Sequence, residues 1–382
     1  MTTTSLRPAT EHELCDALAD AFRAGTRIAI RGGGTKHHIG APHGQARDLD
    51  MRGFDGVVDY DPPELVLTAR AGTRLSTIQA LVASQNQMLA FEPFDHGPVF
   101  GRDAGEATIG GIVAAGVSGS QRLSCGGVRD HLLGVRAVSG RGELFLGGAK
   151  VVKNVTGYDL PKLIAGSWGR LAAITEVTLK VLPAPRTALT CVLTKLNPEQ
   201  AVAAMAVAMG SQAEVVAAAH LPGSKPVTAF RLQGFQASVA SRARTLARQL
   251  ETFGTLAELT TAEADAVWTD LRTLAPLPPD MPLWRISVPP SAGGELVRRL
   301  EAHGAKWLLD HAGGLAWVAL PDGEIVRPAV AEAGGHAMLL RGPAALRAAV
   351  PALHPPAPAL AALEARVRRS FDPAGIFETG RF

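Results

Sequence analysis

The sequence predicts an α+β protein of two domains. At 382 residues the chain is longer than one ordinary domain, and 47% hydrophobic against 19% charged residues indicates a folded chain with a sizeable core. The first half combines short strand-like runs with glycine-rich segments, whereas residues 189–341 alternate helical and strand periodicities. The proline pair in VLPAPRT, near residue 185, marks the predicted boundary between these two patterns.

The first predicted domain covers residues 1–185 and opens with an amphipathic helix. Leu14, Leu18 and Phe22 recur every four positions between residues 11 and 23, which is the spacing of one helix face. Strand-like runs and turns dominate the rest of this domain. The predicted elements are a strand at 27–30, strands in ARDLDM, GVVDY and LVLTARAG, a helix from Thr73 to about Ala83, strands in LLGVRAVSG, GELFLGG and LAAITEVTLKVLP, and a short helix at 159–165.

The second predicted domain covers residues 186–345 and contains two successive β-α-β groupings. Such groupings favour an antiparallel sheet with helices on one face, which is a ferredoxin-like α+β layout. Residues 346–382 are expected to form a C-terminal helix and a turn-rich tail that returns to the first domain. The predicted elements are strands at 189–196, 213–220, 227–234, 283–289, 305–310, 315–320 and 336–341, and helices at 198–209, 237–253, 294–302 and 324–333, with a helical segment at 343–370.

The composition excludes several functional classes. Lysine and arginine number 38 against 35 acidic residues and are spread along the chain, so the sequence does not favour a nucleic-acid partner. Cys15, Cys125 and Cys191 are isolated thiols, which argues against a disulfide framework, a metal site or an iron–sulfur cluster and favours a reducing compartment. No apolar run is long enough to span a bilayer, so the expected location is cytoplasmic or peripheral to the inner membrane.

The stretch IAIRGGGTKHHIGAP, residues 28–42, places three consecutive glycines after a predicted strand. A dinucleotide fingerprint would need a helix directly after the loop, and a P-loop would need GxxxxGK followed by Ser or Thr; neither is present. Consecutive amides in a strand–loop–strand can instead turn inward and form an anion-binding nest that suits a pyrophosphate. A flexible hairpin is the alternative interpretation of this loop.

Two further glycine clusters occur later in the first half. ATIGGIVAAGVSGSQRLSCGGVRD, residues 107–130, lacks side-chain bulk, so its backbone can approach a flat ligand closely. The alternative is that another backbone packs along it. The third cluster, GSWG at residues 166–169, precedes an alternating strand and by itself predicts no more than a tight turn.

Taken together, the three clusters resemble the FAD-binding domain of the vanillyl-alcohol-oxidase/PCMH (VAO/PCMH) flavoprotein superfamily. RGGGTK is similar to its pyrophosphate loop, ATIGGIVAAG to its second flavin-contacting segment, and KNVTGYDLPKLIAGSWGRLAAITEVTLKVLP to its glycine-turn-and-strand segment. The last is close to a pattern of the D-lactate and glycolate dehydrogenase branch. The layout of the whole chain, including LWRISVPP and FDPAGIFETGRF, looks most like the family of E-type FAD-binding subunits of bacterial glycolate oxidases.

This resemblance implies a two-domain PCMH/VAO-type FAD-binding fold with a ferredoxin-like second domain. It places the pyrophosphate on the first loop, the flavin along the second cluster, the end of the pocket at the third, and Pro93 at the adenine or ribitol side. The residues that it assigns to FAD are Arg31, Gly32, Gly33, Gly34, Thr35, Lys36, Pro93, Thr108, Ile109, Gly110, Gly111, Gly116, Ser118, Gly119, Ser120, Gly166, Ser167, Gly169 and Ile174.

Two departures from the family pattern matter. Relatives with covalent flavin carry a histidine at the place of Thr35, so the resemblance implies non-covalent FAD, with His37 and His38 expected on the loop surface. Catalytic subunits of this branch carry an HxGDGNxH-like motif in the second domain, and nothing in this sequence matches it. Turnover by this chain alone is therefore left open.

Oxidation of a 2-hydroxy acid by a flavin needs a cation for the substrate carboxylate and a base for the hydroxyl proton. Arg285, in LWRISVP, is flanked by apolar residues, where a charge is costly unless it meets an anion. It is a candidate substrate or flavin contact, and a structural ion pair is the alternative. His311, in LLDHAGG, is a candidate base, and a solvated turn histidine is its alternative.

These residues are consistent with three functional hypotheses. The first is a FAD-binding subunit of a glycolate or other 2-hydroxy acid oxidoreductase, which oxidises substrate or relays electrons beside a larger FAD-binding subunit and an iron–sulfur subunit implied by the resemblance. The second is an organising subunit that keeps the fold and performs no chemistry. The third is a stand-alone FAD-dependent oxidoreductase of the same fold with another substrate.

Overall fold

The computed structural model describes residues 5–42, 44, 46–149, 157–321 and 323–382, so residues 153–156 of the predicted third motif lie outside the described residues. The strands of the first half are β1 (Ile28–Arg31), β2 (Arg47–Asp50), β3 (Val57–Asp61), β4 (Val66–Arg70), β5 (Gln87–Met88), β6 (Leu132–Ser139), β7 (Leu144–Gly148), β8 (Ala172–Lys180) and β9 (Leu182–Pro183). Its helices are α1 (Glu11–Ala24), α2 (Leu75–Ser84), α3 (Ile109–Ala115), α4 (Arg122–Cys125), α5 (Val128–His131) and α6 (Leu160–Ile164).

A five-stranded antiparallel sheet in the order β3-β4-β8-β6-β7 organises the first half. The strands β1 and β2 form a separate parallel pair, and the glycine loop connects them. Helix α1 begins at the N-cap Thr10, buries Leu14 and Leu18, and ends at Gly25 in the left-handed conformation. The predicted helix at 11–23 is therefore confirmed.

The second glycine cluster contains a helix that was not predicted from the sequence. Thr108 caps α3 by accepting a hydrogen bond from the amide of Gly111, and Ile109, Ile112 and Val113 are fully buried. Glycine pairs and β-branched residues have low helix propensity, but here the burial of one face outweighs that preference. Only part of this cluster is extended backbone.

The second half begins at residue 187 and forms one eight-stranded sheet. Its strands are β10 (Thr187–Thr194), β11 (Ala217–Leu221), β12 (Val227–Gly234), β13 (Ala257–Glu258), β14 (Leu283–Ser287), β15 (Lys306–Asp310), β16 (Leu315–Ala319) and β17 (His336–Arg341). Its helices are α7 (Pro198–Met209), α8 (Gln236–Gln249), α9 (Thr261–Thr273), α10 (Gly293–Glu301) and α11 (Val326–Glu332), and α12 (Ala344–Ala349) and α13 (Pro358–Phe371) come after them.

The strand order β13-β10-β12-β11-β15-β16-β14-β17 reveals two ferredoxin-like units side by side. Each unit runs β-α-β-β-α-β with its first strand between its third and fourth, and the units meet where β11 pairs with β15. All pairings in this sheet are antiparallel. The predicted antiparallel, ferredoxin-like layout is confirmed, and the structure shows that it occurs twice.

The two faces of this sheet have different neighbours. Helices α7, α8, α10 and α11 pack on one face, where they bury a core that includes Val202, Val239, Leu296 and Val330. The opposite face packs against α9 and against segments of the first half that include Ile39 and Val99. Helix α9 was missed in the sequence, although Thr260 and Glu263 form a capping box at its start.

The segment predicted as helical over 343–370 is interrupted. Helices α12 and α13 are separated by residues 350–357, which contain three prolines that cannot donate backbone hydrogen bonds. The tail after α13 returns to the glycine loop: the amide of Ile28 donates to the carbonyl oxygen of Ile376 at 2.7 Å, and that of Ala41 donates to the carbonyl oxygen of Arg381 at 3.0 Å. The last residues of the chain therefore border the candidate site.

Candidate functional site

The three glycines of the first loop are needed for different reasons. A Cβ at Gly32 would overlap the hydroxyl of Thr108, and one at Gly33 would overlap the carbonyl oxygen of Glu106. Gly34 has φ +73°, the left-handed region that favours glycine. Positive φ thus explains only the last glycine, whereas the first two allow this loop and the segment before α3 to approach each other closely.

A cavity lies along this loop. Its wall contains many of the residues that the resemblance assigns to FAD, and these residues come from all three glycine clusters. The predicted residues that line it are Arg31, Gly32, Gly33, Gly34, Thr35, Lys36, Thr108, Gly110, Gly111, Gly169 and Ile174. His37, which was expected on the loop surface, also lines this first cavity. The structure therefore brings together three segments that are far apart in the sequence.

Lys36 lines the first cavity together with two other basic residues, Arg31 and Arg381. Burial, partly opposed by the charge of Asp95 and aided by that of Arg381, lowers the pKa of its ammonium group to about 8. Arg381, in the returning tail, donates hydrogen bonds to the carbonyl oxygens of Lys36 and Ile39 and so fixes the loop. An anion beside Lys36 would compensate the cost of burying this charge.

Arg31 is held differently. Its guanidinium donates to the carboxylate of Asp48 at 2.9 Å, across the parallel pair of β1 and β2. The charge of Arg31 is thus already neutralised, although the residue lines the cavity. Its contribution to an anion site is smaller than that of Lys36.

A second cavity continues from the first, since Ala115 and Trp168 line both. Trp168 has φ +57°, and its ring packs against Phe382 at a centroid distance of 5.2 Å. The predicted residues Gly116, Ser118, Gly166 and Arg285 line this second cavity. The two cavities form one long groove, of which the first part lies within the first half and beside Arg381, and the second part lies between the first half and the second-half sheet.

Three neighbouring strands build the second-half wall of this cavity. Arg285 on β14 pairs in register with Trp317 on β16 and with Met338 on β17, so the three side chains share one face of the sheet. Leu340, two residues further along β17, extends the same wall. This wall is apolar around a single guanidinium.

Arg285 has no ion-pair partner among the residues that the structure describes. Burial lowers its pKa to about 10, the positive charge of Arg122 adds to this effect, and the carboxylate of Asp310 opposes it. Arg122 also lines the second cavity. Both guanidinium groups face one cavity and neither forms an ion pair within the described ranges, which favours an anionic ligand, although Asp130 also lines this cavity. The structural ion pair that was the alternative for Arg285 is absent from the described residues.

The structure places the other predicted residues outside the walls of both cavities. Ile109 is fully buried in the core, and Pro93 borders a separate cleft with Glu92 and Arg272. Ser167 borders an outer groove beside α13. The backbone of Gly119 contacts Glu92, since a Cβ there would lie 2.7 Å from the Cβ of Glu92.

Ser120 and His311 belong to one buried network. The hydroxyl of Ser120 donates to Asp310 at 2.8 Å, and the other carboxylate oxygen of Asp310 accepts from the amide of His311 at 2.7 Å. The Nε2 of His311 lies 3.1 Å from the carbonyl oxygen of Gly119, and burial lowers its pKa. The network joins the second glycine cluster to β15, and it does not bring the candidate base to the cavity wall.

Several residues of the groove were missed in the sequence. Three of them, Arg122, Arg129 and Trp168, lie within the second and third glycine clusters but were not assigned to the site, and the full set is Phe94, His96, Arg122, Arg129, Lys162, Trp168, Trp317, Met338, Leu340 and Arg381. A lone polar residue in the sequence says nothing about which cavity it faces, because that depends on strand register and on how the two halves pack. The described residues contain no group of three or more side chains arranged to hold a metal ion.

Comparisons with known proteins agree with this geometry. Residues 4–146 match a family model described as an FAD binding domain. The glycolate oxidase subunit GlcE of Escherichia coli K12 is 34% identical over 372 residues, and the match covers 96% of each chain. The chain belongs to the GlcE family.

Other relatives of this GlcE-family chain match over shorter stretches. A D-lactate dehydrogenase of Anaerostipes hadrus is 33% identical over 41% of this chain and 31% of its own length. The glycolate oxidase subunit GlcD of Bacillus subtilis is 29% identical over 42% of this chain and 33% of its own length. Among solved structures, an alkyldihydroxyacetonephosphate synthase has a TM-score of 0.67 at 15% identity and covers 97% of this chain and 75% of its own, which shows a shared fold.

The cofactor of this GlcE-family chain is FAD, and the fold is the VAO/PCMH-type FAD-binding fold. The residues fit this cofactor on structural grounds. Gly32 and Gly33 let the loop approach Thr108 and Glu106 more closely than a residue with a Cβ could, and Lys36 lines the same cavity. The groove that continues past Trp168 gives room for a ligand with two distinct ends.

Proposed function

We propose that this chain is a FAD-dependent oxidoreductase that oxidises a small 2-hydroxy acid, with glycolate as the first candidate. The observation that carries the proposal is the pair Arg285 and Arg122, which face the second cavity without a carboxylate partner in the described ranges. This cavity is continuous with the FAD cradle, so a carboxylate held there would lie beside the cofactor. Glycolate and lactate appear in the names of relatives of this chain, which supports this substrate class.

Bound FAD supplies a two-electron acceptor for the α-hydrogen of the acid. The residues of this chain bind and orient the reactants. Lys36 and the amides of the first loop hold the phosphates, and Arg285 holds the substrate carboxylate through a bidentate pair. Trp317, Met338 and Leu340 form an apolar wall that limits access of water to the carboxylate.

The FAD is proposed to be non-covalent. Thr35 occupies the position at which covalent relatives carry a histidine, and its hydroxyl is a poor candidate for attachment to the flavin. His37 lines the same cavity, so acid precipitation is the decisive measurement. The precipitated protein should be colourless and the flavin should stay in the supernatant; a yellow pellet would contradict the proposal and point to His37.

The partners are proposed to be a larger FAD-binding subunit and an iron–sulfur subunit. The names of two relatives as glycolate oxidase subunits support a multi-subunit complex. A cytoplasmic location, with the complex at the inner membrane surface, is part of the same proposal. None of the helices in the described ranges has the length and apolar character that crossing a membrane requires. Affinity purification of the tagged chain from its own cells, followed by mass spectrometry of soluble and membrane fractions, tests both points.

Anaerobic titration of the purified chain with glycolate tests the proposed activity. The visible absorbance of the flavin should bleach in the wild type and should stay unchanged in Arg285→Ala, because the substrate carboxylate loses its clamp. Arg299→Ala is the matched control, since Arg299 pairs with Glu332 on the surface and should leave bleaching intact. D-lactate and D-2-hydroxyglutarate, tested in parallel, would reveal a stand-alone enzyme with another substrate.

The second candidate function is an organising subunit that keeps FAD and performs no chemistry. The lack of an HxGDGNxH-like motif in the sequence favours it. Reconstituting the complex with the Arg285→Ala chain separates the two functions. A complex that keeps full glycolate oxidation would show that the reaction occurs on another subunit, whereas a loss of turnover would place the reaction on this chain.

A further inference from the structure

His96 is a buried histidine in the wall of the second cavity, and it has no role in the reaction proposed above. Its side chain is 6% exposed and stacks on Phe94, with ring centroids 4.7 Å apart and planes 10° apart. The Nδ1 atom is buried and has no hydrogen-bond partner among the described residues. A buried polar atom without a partner is costly, and at a cavity wall it indicates a missing ligand or a proton-transfer role.

Burial, together with two neighbouring cations, lowers the pKa of His96 and so favours the neutral imidazole. Burial and then the positive charge of Lys36 lower its pKa well below the usual value, the backbone of Phe94 opposes this, and Arg285 adds a smaller decrease. Asp95, the adjacent carboxylate, is directed elsewhere: it accepts hydrogen bonds from the amides of Gly97, Gly105 and Ala107 at 2.8, 2.8 and 3.0 Å. A neutral imidazole between two cations can accept a proton when an anion arrives to compensate their charge.

The other buried histidines of the described chain differ from His96. His131, His220 and His311 each have a ring nitrogen within hydrogen-bond distance of a protein oxygen, at 2.8, 2.9 and 3.1 Å. None of the three lines the second cavity. His131 also has a buried Nδ1 without a partner and packs on Phe91, so this feature alone does not distinguish His96. What distinguishes His96 is that it lines the second cavity, which the guanidinium of Arg285 also lines.

We propose that His96 is the catalytic residue that takes the hydroxyl proton of a 2-hydroxy acid whose carboxylate is held by Arg285. The inference rests on the proposed function. The O–H bond breaks and its proton passes to the imidazole, the α C–H bond breaks and its hydrogen would pass with the bonding electron pair, as a hydride, to FAD, and a carbon–oxygen double bond forms. The acid is oxidised to the 2-oxo acid, FAD is reduced, and the imidazolium later returns its proton to solvent.

Proton uptake is the readout that does not depend on turnover. The FAD-loaded chain is titrated with oxalate, a non-oxidisable carboxylate, by calorimetry in two buffers of different ionisation enthalpy at a pH near the ordinary histidine value of about 6.5. Oxalate on Arg285 should raise the pKa of His96, so the wild type should take up protons on binding. His96→Asn and His96→Gln should bind oxalate without this uptake. Lys36, whose pKa is about 8, is already protonated at this pH.

Flavin reduction by glycolate is the second readout. In His96→Asn the reduction rate should fall by roughly 100-fold or more, the lower end of what a positioned base contributes, while oxalate affinity changes by less than about threefold. The wild-type rate at saturating glycolate should fall as the pH decreases through the range in which oxalate binding causes proton uptake, because a protonated imidazole cannot accept the hydroxyl proton. His131→Asn, the matched control, should keep both the rate and the proton uptake.

The outcomes separate the two proposals. Wild-type reduction rates in both His96 variants, or equal proton uptake in wild type and variants, would overturn the role of His96. If the wild type is not reduced by any 2-hydroxy acid, the proposed function fails. In that case, proton uptake that occurs in the wild type and disappears in His96→Asn would still assign His96 as the proton acceptor of an anion-binding cavity. If the wild type takes up no protons when oxalate binds, that assignment fails as well.

Discussion

The two ends of the groove are built in different ways. The first cavity is made mostly of consecutive backbone, the loop from Arg31 to Lys36 and the start of α3, and its shape depends on missing side chains. The second cavity is made of side chains that strands and loops bring from both halves, among them His96, Arg285 and Trp317. The first end therefore leaves a motif in the sequence, and the second leaves isolated residues.

This difference has a functional meaning. A backbone cradle recognises phosphate, which every FAD carries, and so it can be shared by relatives with different substrates. Side chains on a sheet wall recognise the substrate, and each can be replaced without changing the fold. The match of an FAD binding domain over residues 4–146, beside relatives named for both glycolate and D-lactate, agrees with this division.

The largest expected effect is at the backbone end. Gly33→Val should abolish FAD retention, because its Cβ would overlap the carbonyl oxygen of Glu106 and separate the two segments of the cradle. The ratio of flavin to protein absorbance after gel filtration measures it. Gly44→Val is the matched control: among the described residues no atom beyond the glycine itself lies within 4 Å of the position of its Cβ, and its FAD content should equal that of the wild type. Full FAD content in Gly33→Val would remove the loop from the cofactor site.

Lys36→Met should have opposite effects on stability and on binding. The pKa of Lys36 falls from 10.5 to about 8 on folding, so the unfolded chain holds this proton more tightly and wild-type stability rises with pH between these values. The FAD-free variant should therefore melt at a higher temperature than the wild type at pH 7, with a smaller difference above pH 8. Its FAD affinity should fall about tenfold or more, the value of a lost charge-assisted hydrogen bond.

Thermal melts of the FAD-free protein at several pH values and fluorescence titration with FAD measure the two effects. An FAD-free variant that melts below the wild type at pH 7 would contradict the cost assigned to the buried ammonium. Unchanged FAD affinity would show that Lys36 does not contact the phosphates.

Ser120→Ala should have the smallest effect and should separate structure from binding. The change removes the donor to the buried carboxylate of Asp310, which should lower the free energy of unfolding by about 1–3 kcal/mol and leave FAD content unchanged. Urea denaturation and flavin absorbance measure these quantities. Ser167→Ala, at the outer groove, is the control and should change stability by less than about 0.5 kcal/mol. Loss of FAD in Ser120→Ala would return Ser120 to the cofactor site.

Sequence patterns predicted most elements and failed at identifiable places. The helix α9 could have been found, because Thr260 and Glu263 have the spacing of a capping box. The helix α3 could not, because its glycines and β-branched residues argue against a helix, and the burial of Ile109 and Ile112 decides it. Pairing of β11 with β15, which joins two ferredoxin-like units into one sheet, has no local signal.

The sequence by itself determined the cofactor end of this protein. Close backbone approach requires glycine and left-handed φ favours it, so the requirement is written directly into RGGGTK and TIGG. Only the tertiary structure decided the substrate end. Which side chains share a face with Arg285 depends on the register of β14, β16 and β17, and the lowered pKa values of His96 and Lys36 depend on burial between the two halves. Burial and register are properties of distant segments in contact, and no short stretch of residues contains them.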